Sequence, residues 1–254
     1  MTARPAFARK PRVLRTGLEA REALAIRVQR RDPDARWTEE AFRHLVQRKL
    51  SAPQLPAIAQ LANDMSIFAP RRLHNAYAEW KGGSLMRRPG EIAVSSTYGE
   101  ILYSLVADLR PALAFEAGAG FGISGSYIAA ALQNQRNGQL VSFEIGEYWD
   151  VAQRNIAAIS PRARVINDAF ENFSAHVRSS APVDFAFIDA IHDPEVIERQ
   201  VRQLHGFTSP GAVVVVDDVF QAGVPNRSVA TLAEERWVSF AAFLGTRQLV
   251  LVMR

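Results

Sequence analysis

The feature that most constrains this 254-residue chain is a change of texture near residue 95, where short apolar runs begin to alternate with helix-like stretches. The runs are Leu113–Phe115, Leu140–Phe143, Arg164–Ile166, Phe185–Ile188 and Ala212–Val216. They have strand length, and polar or glycine-containing segments separate them. Between them the spacing predicts helices near 124–133, 147–158 and 194–205. The last has Asp193 as its cap, Pro194 in the first turn and Gly206 just past its end. One more strand is expected at Gln248–Val252. Strands alternating with helices imply right-handed βαβ units and a parallel sheet covered on both faces. The expected fold class is therefore α/β, a Rossmann-like, doubly wound, mostly parallel sheet with a helical extension before it. In such a sheet, ligands sit beyond the carboxyl ends of the strands.

Residues 1–90 read differently and are taken as a separate helical region in front of the α/β domain at 91–254. Residues 17–30 are helix-compatible. In 38–50, Thr38 stands at an N-cap position, Glu39 and Glu40 fill the first turn, and Arg48 and Lys49 the last. Phe42, Leu45, Val46 and Leu50 make one apolar stripe. Shorter helices are expected at Leu55–Met65 and at about 71–80, with Gly82-Gly83 ending the latter. Thr97 and Glu100 have capping-box spacing ahead of Ile101, Leu102, Leu105, Val106 and Leu109, so they are assigned to a helix start and to no chemistry.

Composition removes several classes of function. With no cysteine, disulfide frameworks, thiolate nucleophiles, iron–sulfur clusters and cysteine-ligated zinc are all excluded. The longest apolar candidate, 113–132, carries Glu116 and four glycines and does not make a membrane span. No secretion signal follows Met1, so a cytoplasmic protein is expected. Residues 1–90 hold 18 Lys+Arg against 8 Asp+Glu, and 91–254 hold 12 against 18, which gives +10 and −6. The basic front is read as a solvated helical face rather than a nucleic-acid surface, because its cations are interleaved with acids and form no cluster with aromatics.

The polar residues gather at the predicted strand ends. "FEAGAGFGIS" places Glu116, Gly118, Gly120, Gly122 and Ser124 between the first strand and its helix. Glycines there let a ligand approach the backbone, and the helix start offers free N–H groups. Glu144 closes the second strand, where a carboxylate can accept both hydroxyls of a ribose. A nucleoside ligand is implied, in one of two forms. Gly120, Gly122 and Gly125 satisfy the dinucleotide pattern G-x-G-x-x-G, with Glu144 about 20 residues on. The alternative turn, Glu116 followed by Gly118, Gly120 and Gly122, puts an acid where ligand donors rather than a pyrophosphate would lie.

Taken in order, "LAFEAGAGFGIS", "VSFEIG", "NDAFENF", "VDFAFIDAIHD" and "SPGAVVVVDDV" resemble class I S-adenosylmethionine-dependent methyltransferases, particularly O-methyltransferases of the catechol and caffeoyl-CoA type and their bacterial relatives. The resemblance covers about 95–220. It implies that Gly118, Gly120 and Gly122 wrap the methionyl and ribose part of S-adenosyl-L-methionine and that Glu144 holds the ribose. It also puts Asp168 and Ala169 beside the adenine, and Tyr98 and Gly99 at the amino-acid end. N-terminal helices in such relatives cap the substrate or make a homodimer. The expected partner is a small hydroxylated molecule, with no nucleic acid and no membrane.

Asp189 closes the fourth strand and Asp217-Asp218 the fifth. On neighbouring strands these carboxylates would lie roughly 5 Å apart, and like charges that close need a cation or a proton. Oxygen ligands suit Mg²⁺, and the metal-dependent relatives carry Asp, Asp and Asn at similar positions. Asp189, Asp217 and Asp218 are accordingly candidate metal ligands, and His192, three residues after Asp189, a candidate base. His44, His74, His176 and His205 have helical or surface explanations. Three other readings remain open: an RNA methyltransferase or methyltransferase-like binding module, transfer or cyclisation of the aminocarboxypropyl arm, and an NAD-dependent oxidoreductase. The sheet edge is open too, since "WVSFAAF" is either an additional strand or the edge is reduced.

Overall fold

The computed structural model describes residues 24–63, 71–72, 86–87, 89–176, 181–221 and 224–254. Its centre is an eight-stranded sheet. In chain order the strands are β1 (Ile26–Arg31), β2 (Leu113–Ala117), β3 (Gln139–Phe143), β4 (Ala163–Ile166), β5 (Val183–Ile188), β6 (Thr208–Val216), β7 (Val238–Leu244) and β8 (Gln248–Met253). Across the sheet they run β1-β7-β8-β6-β5-β2-β3-β4. β4, β3, β2, β5 and β6 are parallel, whereas β8, β7 and β1 add antiparallel pairs at one side. The order reverses direction between β2 and β5, which opens a crevice at their carboxyl ends.

The helices α1 (Glu39–Gln47), α2 (Leu55–Asn63), α3 (Ser96–Leu109), α4 (Ile123–Gln133), α5 (Trp149–Ile159) and α6 (Pro194–His205) cover the faces. The period-2 alternation of the strands sorts their side chains into two cores. Phe185, Phe187, Val213, Val215, Phe240 and Val250 join one core with residues of α1 to α5. Ala186, Ile188, Val214, Val216, Ala241 and Leu251 join the other, with Phe170, Phe173 and α6. A fully buried Phe187 or Val215 contributes about 2 kcal/mol of transfer free energy, so burial on both faces holds the central strands more firmly than propensity does.

Three expectations need correction, and one open alternative, the nature of "WVSFAAF", is settled. Residues 26–31 form β1 rather than helix; Ile26 is buried, Val28 packs against the core, and the strand pairs antiparallel with β7 from Ile26↔Leu244 to Arg31↔Phe240. Sheet pairing here overrides a helix-compatible composition, and residues 17–23 lie outside the described residues. "WVSFAAF" is a strand: all seven residues of β7 are buried, so no polar alternation marks it. Arg71–Arg72 pairs with Met86–Arg87 in a two-residue ladder in place of the expected helix, and 73–80 lie outside the described residues. Finally, α3 starts one residue after Ser95, which makes no side-chain cap bond, so Thr97 and Glu100 sit inside the helix rather than in a capping box.

Two predicted helix starts have the expected geometry. Thr38 Oγ1 accepts from Ala41 N at 3.1 Å, and Asp193 accepts from Glu195 N and Val196 N at 2.9 and 3.2 Å. No helix among the described residues is long and apolar enough to cross a membrane.

Candidate active site

A cleft of about 1050 Å³, counting its open mouth, lies at the reversal of strand order. Gly118, Gly120, Ser124, Glu144, Asp168, Ala169, Asp189 and His192 line it, together with Ile92, Ile145, Tyr148 and Arg247. Most of the residues that the sequence pattern singled out therefore meet around one hollow.

The turn after β2 explains its glycines individually. Gly118 has φ +83°, and a Cβ there would stand 2.2 Å from the carbonyl oxygen of Asp189. β2 and β5 come too close at that point for any side chain. Gly120, at φ +54°, is open by contrast: a Cβ there would meet only Ile92 Cδ1, at 3.7 Å, so the glycine leaves space on the cleft side. Glu144 holds the turn from the next strand. Its Oε2 accepts from Gly120 N and its Oε1 from Gly146 N, both at 2.7 Å. The Ile145 N–H and the Tyr148 hydroxyl donate to the same carboxylate. Burial pushes this carboxyl up to about 7, although the N–H groups of Gly146 and Gly120 pull the other way.

Glu116 lies beneath the turn and does not line the cleft. It is fully buried; Ser142 Oγ donates to its Oε2 at 2.6 Å, and its Oε1 has no well-formed hydrogen bond. Burial raises it to about 7 against the hydrogen bonds of Ser124 and Ser142. Asp168 lines the cleft but is heavily engaged, by His176 at 2.7 Å, Asn172 at 2.8 Å and Ala169 N at 2.7 Å. Those bonds, His176 first, hold its carboxyl below the usual range. Tyr98 and Gly99 are not among the residues that line the cleft. Gly99 lies against the Tyr127 ring, and Tyr98 donates to Leu244 O at 3.4 Å.

The acid cluster differs from its expected form. β5 and β6 are neighbours, as the metal reading required, with Ile188 opposite Val216. Asp217, however, is clasped by Arg247, whose Nε lies 2.8 Å from both carboxylate oxygens and whose Nη2 lies 2.5 Å from Oδ2. The set brought within 4.8 Å of one another is Asp189, His192 and Asp218. His192 bridges the other two, with Nδ1 2.6 Å from Asp218 and Nε2 3.3 Å from Asp189. Asp218 reaches the ring because its backbone turns left-handed, at φ +51°, a conformation that Asp tolerates better than most residues. Burial alone would lower the His192 pKa, but the two carboxylates outweigh it and push it up to about 9. Asp217 is raised to about 7, first by burial and then by Asp189.

Both ring nitrogens of His192 thus face carboxylates, and one of the three predicted oxygen ligands is taken by a guanidinium. That donor set does not fit an oxygen-ligated Mg²⁺ ion, which needs several unengaged oxygens. Sequence reasoning missed Arg247, because its place follows from β7. It also missed Ile145 and Tyr148 as apolar walls, though both lie within four residues of Glu144.

Residues 115–219 match the family model described as a methyltransferase domain. Among solved structures, the O-methyltransferase TomG from Streptomyces achromogenes, involved in tomaymycin synthesis and determined with S-adenosylmethionine, is similar at 23% identity and TM-score 0.54, over 81% of this chain and 92% of that one. The O-methyltransferase from Bacillus cereus in complex with S-adenosylhomocysteine is similar at 21% and 0.56, over 81% and 92%. The S-adenosylhomocysteine-bound methyltransferase PaMTH1 from Podospora anserina is similar at 15% and 0.56, over 82% and 99%. No curated protein sequence matches. The match runs from the first parallel strand past the end of the last, across the turn and both acid-bearing strand ends, and the solved structures share the Rossmann-like fold.

Proposed function

We propose that this protein transfers a methyl group from S-adenosylmethionine to an oxygen of a small hydroxylated molecule. The observation that carries the reading is the pairing of Glu144 with the glycine turn. Backbone N–H groups of Gly120 and Gly146 fix the carboxylate at the cleft wall, the Tyr148 hydroxyl is the donor that an incoming ribose hydroxyl would displace, and Gly120 leaves the floor open. A vicinal diol flanked by an apolar ring suits that arrangement, with Ile145 and Tyr148 beside it.

The cofactor supplies a methyl made electrophilic by a positively charged sulfur. The chain's own residues bind, orient and move a proton. Glu144 accepts from the ribose hydroxyls. Asp168 acts mainly by fixing the Ala169 loop that walls the adenine end. Asp218 orients the His192 ring through Nδ1; Nε2, the more loosely engaged nitrogen, takes the acceptor's hydroxyl proton only in the neutral form of the ring, which the two carboxylates hold to a minor fraction below about pH 9. Asp189, 3.3 Å from Nε2, would steady the imidazolium that results. Ile92, Ala93 and Val94, just ahead of α3, close one side of the cleft and limit water.

Isothermal titration with S-adenosylhomocysteine tests the reading directly, and one site per chain is expected. No binding, alongside saturable binding of NADH, would transfer the cleft to an oxidoreductase.

A further inference from the structure

The cluster of Asp189, Asp217 and Asp218 presents three carboxylates at adjoining strand ends, an arrangement that needs positive charge to persist. The molecule provides that charge from an unexpected direction. β7 and β8 form a hairpin whose turn, Gly245-Thr246-Arg247, projects over the carboxyl end of β6 because β8 pairs with β6 from Leu249↔Val216. Arg247 therefore arrives beside Asp217, whose side chain is fully buried.

Several contacts hold it there. Three short donor–acceptor contacts join the guanidinium to Asp217, and Nε is also 3.6 Å from Asp218 Oδ1. The guanidinium lies over the Tyr98 ring, 5.9 Å from its centroid. The hairpin backbone is pinned as well: Val219 N donates to Arg247 O at 2.9 Å, and Gly245 N donates to Ala25 O at 2.7 Å, just before β1. Arginine keeps its charge at every accessible pH, and its planar fork matches a carboxylate. A divalent ion could reach the Asp217 oxygens only by driving out this half-buried guanidinium, and its own charge would be repelled by it. The two remaining acids are occupied differently, because each faces a nitrogen of His192.

We propose that Arg247 is the resident cation of the acid cluster, filling the place a divalent metal ion would take, and that the site operates without metal. This inference rests on the methyltransferase reading for its meaning but not for its test. Arg247 is a positioning residue: by holding Asp217 it leaves Asp189 and Asp218 to act on His192. Tyr98 belongs to the same device, as the platform under the guanidinium rather than a contact of the cofactor.

The test is a Mn²⁺ titration followed by electron paramagnetic resonance, with S-adenosylhomocysteine titrated into the same preparations. The wild type is expected to leave the free Mn²⁺ signal undiminished into the millimolar range. Arg247→Met, which frees Asp217, is expected to take up one Mn²⁺ per chain, and Arg247→Lys, which keeps the charge, is expected to take up none. Stoichiometric Mn²⁺ uptake by the wild type, abolished in Asp189→Asn, would overturn the proposal, as would a folded Arg247→Met variant that takes up no ion. Should Arg247→Met not fold, the wild-type and Arg247→Lys titrations still decide. Loss of S-adenosylhomocysteine binding in the wild type would instead strike the cofactor reading and leave the Mn²⁺ result to stand alone.

Discussion

Replacing Glu144 by Gln should separate the ribose-holding role of this residue from its structural one. In the wild type both carboxylate oxygens are anchored by backbone N–H groups, and the Tyr148 hydroxyl, which a ribose hydroxyl would displace, donates to the same carboxylate. The amide keeps one oxygen and turns the other into a donor that must face Gly120 N or Gly146 N. At least one charge-assisted bond to the ribose is lost. Such bonds contribute about 1.5–3 kcal/mol, which corresponds to an S-adenosylhomocysteine Kd weaker by about 10- to 150-fold. The pH dependence supplies a second check. Burial raises Glu144 from 4.5 to about 7 in the ligand-free protein, and accepting two hydroxyls requires the ionised form. Wild-type affinity should fall by up to about tenfold per pH unit below 7 and level off above it, while Glu144→Gln should lose that slope. Stability runs the other way. A carboxyl whose folded pKa is raised contributes stability that is complete below 4.5 and is lost as pH climbs to about 7, so this group makes the ligand-free fold less stable over that window. Calorimetric titration at pH 6 and pH 8 reads the binding effects, and melts at the same two values read the stability. Equal wild-type affinity at the two pH values, or wild-type affinity in the variant, would refute the reasoning.

Other perturbations distinguish the remaining parts of the site. Gly118→Ala meets the Asp189 carbonyl as well as left-handed strain, and should lower stability by more than the roughly 1–2 kcal/mol of strain alone; a melt within a degree of wild type would contradict it. Gly120→Ala meets open space but carries the left-handed strain of roughly 1–2 kcal/mol, so it should fold with a modestly lower melt and bind S-adenosylhomocysteine more weakly, which a calorimetric titration of the folded variant reads. His192→Asn should cut turnover by about 10²–10⁴-fold, with cofactor affinity held, if the imidazole takes the proton; a turnover number near wild type removes it as the base. Phe42→Ala should cost about 3–5 kcal/mol in chemical denaturation, because Phe42 packs against Phe240 of β7 at 4.9 Å. A much smaller loss would mean that α1 is only loosely joined to the sheet.

What the sequence disclosed follows from where polarity changes. β2, β3, β5 and β6 are apolar runs that end on Glu116, Glu144, Asp189 and Asp217, so strand type and ligand side could be read together. β7 hides because both of its faces are buried, and Val238–Leu244 alternates nothing that polarity can register. Arg247 hides behind it, since a cation one residue before β8 gains meaning only when the hairpin is known to cross β6. The arginines of β1 obscure it, because they suit an exposed helix as well as an edge strand. That the acids close strand ends was legible in the sequence, whereas their adjacency and the identity of their counter-ion depended on long-range pairings.

That edge has a consequence for how copies of the molecule meet. β1 is an outermost strand of the sheet and carries Arg27, Arg30 and Arg31 within its six residues. Arg27 folds back over the Phe243 ring, and Arg30 reaches the carbonyl oxygen of Glu235. A second copy approaching strand against strand would bring a matching row of guanidinium groups into register with this one. Among the described residues, that row of charge opposes the association that unpaired backbone would otherwise invite.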